Sequence, residues 1–327
     1  MTKYIIRRLL QIIPVIIGIS IIVFMLMHLA PGDPIYMLLG EEATQEDYER
    51  LYEHYGFDRS IPVQYFDWAT NALVGDFGES IRVEEPVSKL IYDRMGATLE
   101  LTFFSVFISV FVGIPIGILA AVKRGSIVDF FSMVGALIGV SMPSFWLGLV
   151  FLAYIAINVT WLPMFGRGPS LVSGFYHLFV NFDFTYLFHS LRYVILPALS
   201  LGIIMMGIVT RLTRSSLLET LGEDYIRTAR SKGLKERKVV LKHGLKNALL
   251  PVVTIIGIQL GYRLGGAVIT ETVFSWPGVG RLIVNAIEQR DYPIVQAGVL
   301  MLAVVFTFVN LFVDLSYAVI DPRIKYD

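Results

Sequence analysis

The chain has 327 residues, of which 55% are hydrophobic and only 17% charged, with a mean hydropathy of +0.66. Soluble domains carry about 25% charge, so the composition excludes an ordinary water-soluble fold and points to an apolar solvent. Basic and acidic residues balance at 27 each, and there is no cysteine, which excludes bulk attraction to nucleic acid, disulfides, thiolate nucleophiles and Cys-ligated metals.

A helix rises about 1.5 Å per residue, so roughly 20 apolar residues cross the hydrocarbon core of a bilayer. Six stretches reach that length: Leu9–Leu29, Thr98–Val122, Phe130–Ile157, Tyr193–Leu212, Ala248–Ile269 and Ile294–Ile320. They predict an all-α integral membrane bundle of about six transmembrane helices. Lys3, Arg7 and Arg8 precede the first, as they would in a secretory signal peptide. Its apolar run exceeds the usual signal core of about 7–15 residues, so it is read as an uncleaved anchor helix. Pro31-Gly32-Asp33-Pro34 then stops the helix by removing donors and favouring turns. The loop Pro31–Ala97 is acidic near its start (Glu41, Glu42, Glu46, Asp47, Glu49) and long enough to fold as a small cap. The third and sixth stretches are longer than a bilayer requires, and Pro143 predicts a kink in the third.

Lipid tails supply no hydrophobic drive between helices, so small residues four apart mark faces where backbones approach closely. Gly113 and Gly117 form such a pair on the second span, and Gly135 and Gly139 on the third. The fifth span has Gly257, Gly261 and Gly265 in register, followed by Gly266, and this triple is read as a helix-packing or subunit face. Polar groups at membrane depth are costly and usually face protein or water. Arg263, with Gln259 one turn earlier, is a candidate for the substrate pathway, where a guanidinium could meet a carboxylate. The alternative is that Arg263 snorkels to the interface. Asn310 and Asp314 lie near the end of the sixth span, where a helix-end contact is the simpler reading of Asp314 than an ion site.

With the N-terminus inside, 17 lysines and arginines fall on inner pieces against nine on outer loops, so the positive-inside bias puts both termini in the cytoplasm. Ten of the inner set lie between Arg211 and Lys246. Within that connection Glu223 and Asp224 lead, and Arg227, Arg230 and Lys232 follow, before Gly233. This charge order suits a helix dipole with a glycine stop. A short surface helix projecting between two spans is what a soluble partner could grip.

These residues resemble the EAA-type loop of ABC importer permeases, with Ala229 and Gly233 followed by Leu250 and Pro251. Asp224-Tyr225-Ile226-Arg227-Thr228-Ala229-Arg230-Ser231-Lys232-Gly233 is similar to the peptide and nickel branch of that family. So are Leu29-Ala30-Pro31-Gly32-Asp33-Pro34, Ala97-Thr98-Leu99-Glu100-Leu101 and Glu271-Thr272-Val273-Phe274-Ser275-Trp276-Pro277-Gly278-Val279-Gly280. Arg290-Asp291-Tyr292-Pro293 and Asp321-Pro322-Arg323-Ile324 complete the set, which covers nearly the whole chain. The likeness is to the first permease subunit of dipeptide and oligopeptide importers.

The resemblance implies a type I permease core over residues 98–327, with a coupling loop at 213–247, behind an anchor and cap over 1–97. It also implies a second homologous permease, two cytoplasmic ABC ATPases, an extracytoplasmic substrate-binding protein and a lipid surround in a bacterial or archaeal plasma membrane, with no nucleic acid. Asp224, Tyr225, Arg227, Thr228, Ala229, Arg230, Lys232 and Gly233 would form the ATPase-coupling helix. No GxxxxGK[ST] phosphate loop occurs, so ATP and Mg would be used by the partner ATPases and no cofactor by this chain. Di- or oligopeptides are the expected cargo, with nickel, glutathione or oligosaccharide as alternatives within the same importer type. The lack of a His or Cys cluster disfavours a metal held by the chain itself. A secondary transporter or channel would share the composition but would leave the basic loop unexplained. No catalytic residue is assigned: Ser141 follows Gly139, but Met142 and Pro143 spoil a GxSxG elbow.

Overall fold

The computed structural model describes residues 2–29, 39 and 44–320, and among these the chain is helical with no strand, only an isolated bridge between Glu79 and Pro86. The helices are α1 (Thr2–Leu29), α2 (Gln45–His54), α3 (Ile61–Leu73), α4 (Val87–Val122), α5 (Ile127–Ser141), α6 (Ser144–Val150, continued by a wide turn to Ala156) and α7 (Leu171–Asn181). They continue as α8 (Phe184–Leu221), α9 (Asp224–Ser231), α10 (Leu245–Val273), α11 (Val279–Gln289) and α12 (Tyr292–Ile320). Among the described residues five helices are long and apolar enough to cross a membrane, or six if the bent pair α5 and α6 is one span. All six predicted stretches fall on these elements. The expectations at Pro31–Pro34, Glu41, Glu42 and Asp321–Ile324, and the side chain of Asp314, lie outside the described residues.

Two helices run well past their apolar stretches. At 36 and 38 residues, α4 and α8 are about 54 and 57 Å long, against roughly 30 Å of hydrocarbon. Hydropathy located the part that suits lipid. The polar turns over 87–97 stay helical because Lys89, Asp93 and Arg94 are compatible with a helix in water.

The kink predicted at Pro143 is instead a break. Proline disfavours the helical conformation in the residue before it. Met142 is accordingly extended (φ −94°, ψ 130°), α5 stops at Ser141, and α6 starts afresh behind Pro143. The two helices meet at 105°.

The chain forms two compact units. The first joins residues 1–98 with 277–308. There α2 opens with a capping box, in which Thr44 and Asp47 satisfy each other's backbone N–H groups. α3 lies on the C-terminal end of α1: Ser20 Oγ and Tyr65 Oη are 2.9 Å apart, and Phe24 meets the rings of Tyr65 and Trp68. The core of this unit packs Val87 and Ile91 of α4 with Val279, Ile283 and Ala286 of α11 and Val295 and Ala297 of α12. Two long-range hydrogen bonds tie it: Val279 N–H donates to Thr98 Oγ1 at 2.9 Å, and Ser80 Oγ donates to the buried carboxylate of Asp291.

The second unit, 99–276 with 309–327, is built around α8. The Gly113/Gly117 face packs as predicted: a Cβ on Gly117 would lie 2.7 Å from the Thr210 carbonyl, and Thr210 Oγ1 donates to the Gly113 carbonyl at 3.2 Å. The second pair divides. Gly139 sits tight against Ile203, whereas Gly135 has open space. Gly207 makes the tightest approach to α5, where a Cβ would be 2.5 Å from the Ala136 carbonyl.

Candidate functional site

The predicted coupling segment forms one short helix, α9, and its two faces have different partners. Glu223 is the extended N-cap, Asp224 occupies the first turn and Arg230 the last, so charge and helix dipole agree. Lys232 ends the helix, and Gly233, at φ +75°, supplies the left-handed turn that glycine adopts without steric cost.

One face is buried. Ile226 is completely enclosed and Ala229 nearly so, against Val239, Leu221 and Leu234. Burying an isoleucine contributes about 2–3 kcal/mol, enough to seat a two-turn helix that would not form alone. The next layer continues into the flanking helices: Leu217 of α8 packs with Val240 and Ala248, and with Ala121 of α4. Gly244 lets the returning chain close on α8, because a Cβ there would be 3.1 Å from Leu221.

The edges are clamped by polar contacts. Arg230 forms a fork on Glu236, with Nη2–Oε1 at 2.7 Å and Nε–Oε2 at 3.2 Å. That carboxylate raises the already high pKa of the guanidinium. Tyr225 accepts a hydrogen bond from Asn247 Nδ2 at 2.9 Å, and its hydroxyl donates to the His243 carbonyl at 3.5 Å. On the other face Asp224, Arg227, Thr228 and Lys232 are open to solvent. Arg227 pairs with Asp224 at 3.2 Å within that face. The eight predicted residues thus divide into a seat (Ala229), a terminating turn (Gly233), a clamp (Tyr225, Arg230) and a presented surface (Asp224, Arg227, Thr228, Lys232). Ile226, which the sequence reading left without a role, is the anchor. An isoleucine between Asp224 and Arg227 on a two-turn helix was the available signal.

The other predicted positions lie elsewhere, on α10. Gly257 and Gly261 are buried within the chain, while Gly265 is exposed, and a Cβ there would meet nothing within 4 Å. The series is therefore covered at Gly257 and Gly261 and open at Gly265. Gln259 is half-buried. Arg263 is only 7% exposed, and its Nε finds no hydrogen-bond partner. The Arg263 side chain is thus enclosed by protein rather than open to solvent.

A second polar cluster was not assembled from sequence. Arg167, in the connection before α7, pairs with Glu100 of α4 and lies over the Trp276 ring at 5.8 Å. Glu100 also accepts from the Leu171 N–H at 3.1 Å. Glu100 and Trp276 belonged to the quoted motifs, but nothing in their spacing named Arg167 as the group between them.

The model for "Binding-protein-dependent transport system inner membrane component" matches residues 113–326, and that for the N-terminal part of such components matches residues 1–102. The dipeptide transport system permease protein of Alkalihalophilus pseudofirmus is 45% identical over 333 residues, covering 100% of both chains. That of Escherichia coli K12 is 42% identical over 338 residues, covering 100% of this chain and 99% of the relative. The glutathione transport system permease protein of Salmonella typhimurium is 40% identical over 326 residues, with both chains fully covered. Among solved structures, an inward-facing form of the MetNI methionine ABC transporter matches with a TM-score of 0.53 at 19% identity, over 72% of this chain and 99% of that one. The last likeness bears on the fold alone.

Proposed function

The chain belongs to the family of binding-protein-dependent transport system inner membrane components, and on that premise we propose that α9 is the helix through which separate ATPases drive it. It is a multi-pass inner membrane permease of the ABC importer type. In our reading both termini and α9 face the cytoplasm, and two ATPases bind ATP and Mg there while this chain holds no cofactor. A second homologous permease completes the pathway, and an extracytoplasmic binding protein delivers cargo.

The observation that carries this reading is the two-sided build of α9. Ile226 and Ala229 fix one side to the spans that flank it, and the opposite side, with Asp224, Arg227, Thr228 and Lys232, is left open. A lever needs both properties, a rigid attachment at one side and a gripping surface at the other. When the ATPases close, α9 moves with α8 and α10 and biases the bundle between two states by differential contact.

The cargo we infer is a short peptide. Relatives named for dipeptide transport are 42% and 45% identical, and one named for glutathione is 40% identical; glutathione is itself a tripeptide. Arg263 with Gln259 is the proposed meeting point for a substrate carboxylate.

The test is reconstitution of the full importer in vesicles with α9 charge-reversed at Asp224, Arg227 and Lys232. Substrate-stimulated ATP hydrolysis should disappear while the amount of inserted chain stays constant. Retained stimulation, or full-rate uptake in vesicles that contain no ATPase, would overturn the assignment.

A further inference from the structure

In the second unit an ion pair joins α5 to α8. The turn after α4 brings Gly125 to φ +75°, and its N–H donates to Asp129 Oδ2 at 2.9 Å. Ser126 caps α5 by accepting from the Asp129 N–H. Arg214, on α8, then grips the same carboxylate with two prongs, Nε–Oδ1 at 2.5 Å and Nη2–Oδ2 at 2.8 Å. The Asp129 side chain is 8% exposed and that of Arg214 24%. A planar fork on a carboxylate fixes both distance and orientation, so the start of α5 is held to α8 at a defined angle.

The position of this fork matters more than its strength. Arg214 lies one turn before Leu217 and Leu218, in the cluster that receives Val240 and Ala248, and two turns before Leu221, which helps to seat α9. On the other side, α5 runs from Asp129 along Ala136, tight against Gly207, to the break at Met142 and Pro143. Contacts therefore run without interruption from α9 to the bent pair, and the fork is the one charged, orientation-specific link that the structure describes between α5 and α8. The neighbouring links, at Gly207 and Gly139, are uncharged van der Waals contacts.

We propose that Asp129 and Arg214 form a positioning pair that makes α5 follow α8 when α9 is displaced, so that its loss uncouples ATP hydrolysis from cargo movement. This rests on the reading of α9 given above.

The experiment uses the complete importer in vesicles, with Ala-Ala and glutathione as parallel probes, and measures uptake per ATP hydrolysed. Asp129→Asn and Arg214→Met should keep stimulated hydrolysis within about twofold of wild type while uptake per ATP falls tenfold or more. Because the chain has no cysteine, Asp129→Cys/Arg214→Cys can be bridged by a short bis-thiosulfonate spacer. The bridged protein should recover most of the lost ratio, and reduction should abolish the recovery. Uptake and hydrolysis falling in equal proportion, with no rescue by the bridge, would show a merely structural role and overturn the proposal, as would an unchanged ratio. A parallel α9 charge-reversal separates the two readings. If stimulation survives there, the coupling reading fails and this one with it; if it is lost there while Asp129→Asn keeps a normal ratio, only the present inference fails.

Discussion

Asn247, in the first turn of α10, donates a 2.9 Å hydrogen bond to the hydroxyl of Tyr225 on α9, so two helices separated by 13 residues of connecting chain share one polar contact. That contact is exposed, and hydrogen bonds in water contribute little net. The apolar anchor beside it is the stronger tie.

Ile226→Ala should therefore be far more damaging than Tyr225→Phe. Emptying a fully buried isoleucine site costs about 2–5 kcal/mol, comparable to all that holds a two-turn helix in place. Uptake in reconstituted vesicles should fall at least tenfold for the first variant and less than threefold for the second. Equal effects would show that the polar edge, not the core, seats α9.

Thr98→Val should destabilise the first unit by about 1–3 kcal/mol, because it leaves the buried N–H of Val279 without its acceptor. Thr98→Ser keeps the oxygen and should be nearly neutral. Thermal unfolding in detergent, read from intrinsic tryptophan fluorescence, separates the two.

Gly117→Ala and Gly135→Ala make a matched pair. The first places a methyl 2.7 Å from the Thr210 carbonyl, the second into open space. Overpacking costs about 1–3 kcal/mol, whereas alanine in an open helix position gains up to about 1 kcal/mol over glycine. The two midpoints should move in opposite directions.

Glu100→Gln should loosen the connection before α7. Removing one partner from a buried pair costs about 3–5 kcal/mol; Arg167 is 20% exposed, so the lower end of that range is expected. Faster protease cleavage between residues 157 and 170, with the rest of the chain resistant, is the readout.

Gly265→Ala tests the open end of the α10 glycine series. It meets nothing within its own chain, so the isolated subunit should keep its midpoint. Co-purification of a second permease should drop several-fold if this face is shared between subunits. Arg263→Leu, in the same helix, should lower uptake of carboxylate-bearing peptides at least tenfold, and unchanged uptake would remove it from the pathway.

The membrane-spanning elements were legible because lipid imposes one length on every helix. The apolar runs at Thr98–Val122 and Tyr193–Leu212, 25 and 20 residues long, could hardly be missed. Their extensions to Val87 and Leu221 were not legible, since hydropathy reports the solvent of a helix rather than its ends. Gly113 and Gly117 were readable from spacing alone, but Gly135 and Gly139 carry the same signature and only one is packed. Spacing gives a face, and the neighbour decides whether that face is occupied. Pro143 alone reads as a bend; its restriction on the residue before it turns the bend into a break at Met142. Arg167 and Arg214 were invisible as partners of Glu100 and Asp129 because those pairs span 67 and 85 residues.

Because the first unit is stitched from both ends of the polypeptide, residues 1–98 with 277–308, it closes late in synthesis. The ribosome must make most of the chain before Val279 can reach Thr98 or Ser80 can meet Asp291. Until then the aliphatic surface at Val87 and Ile91 lacks its α11 and α12 partners. Truncation anywhere before α11 should thus yield not a smaller working protein but a substrate for degradation.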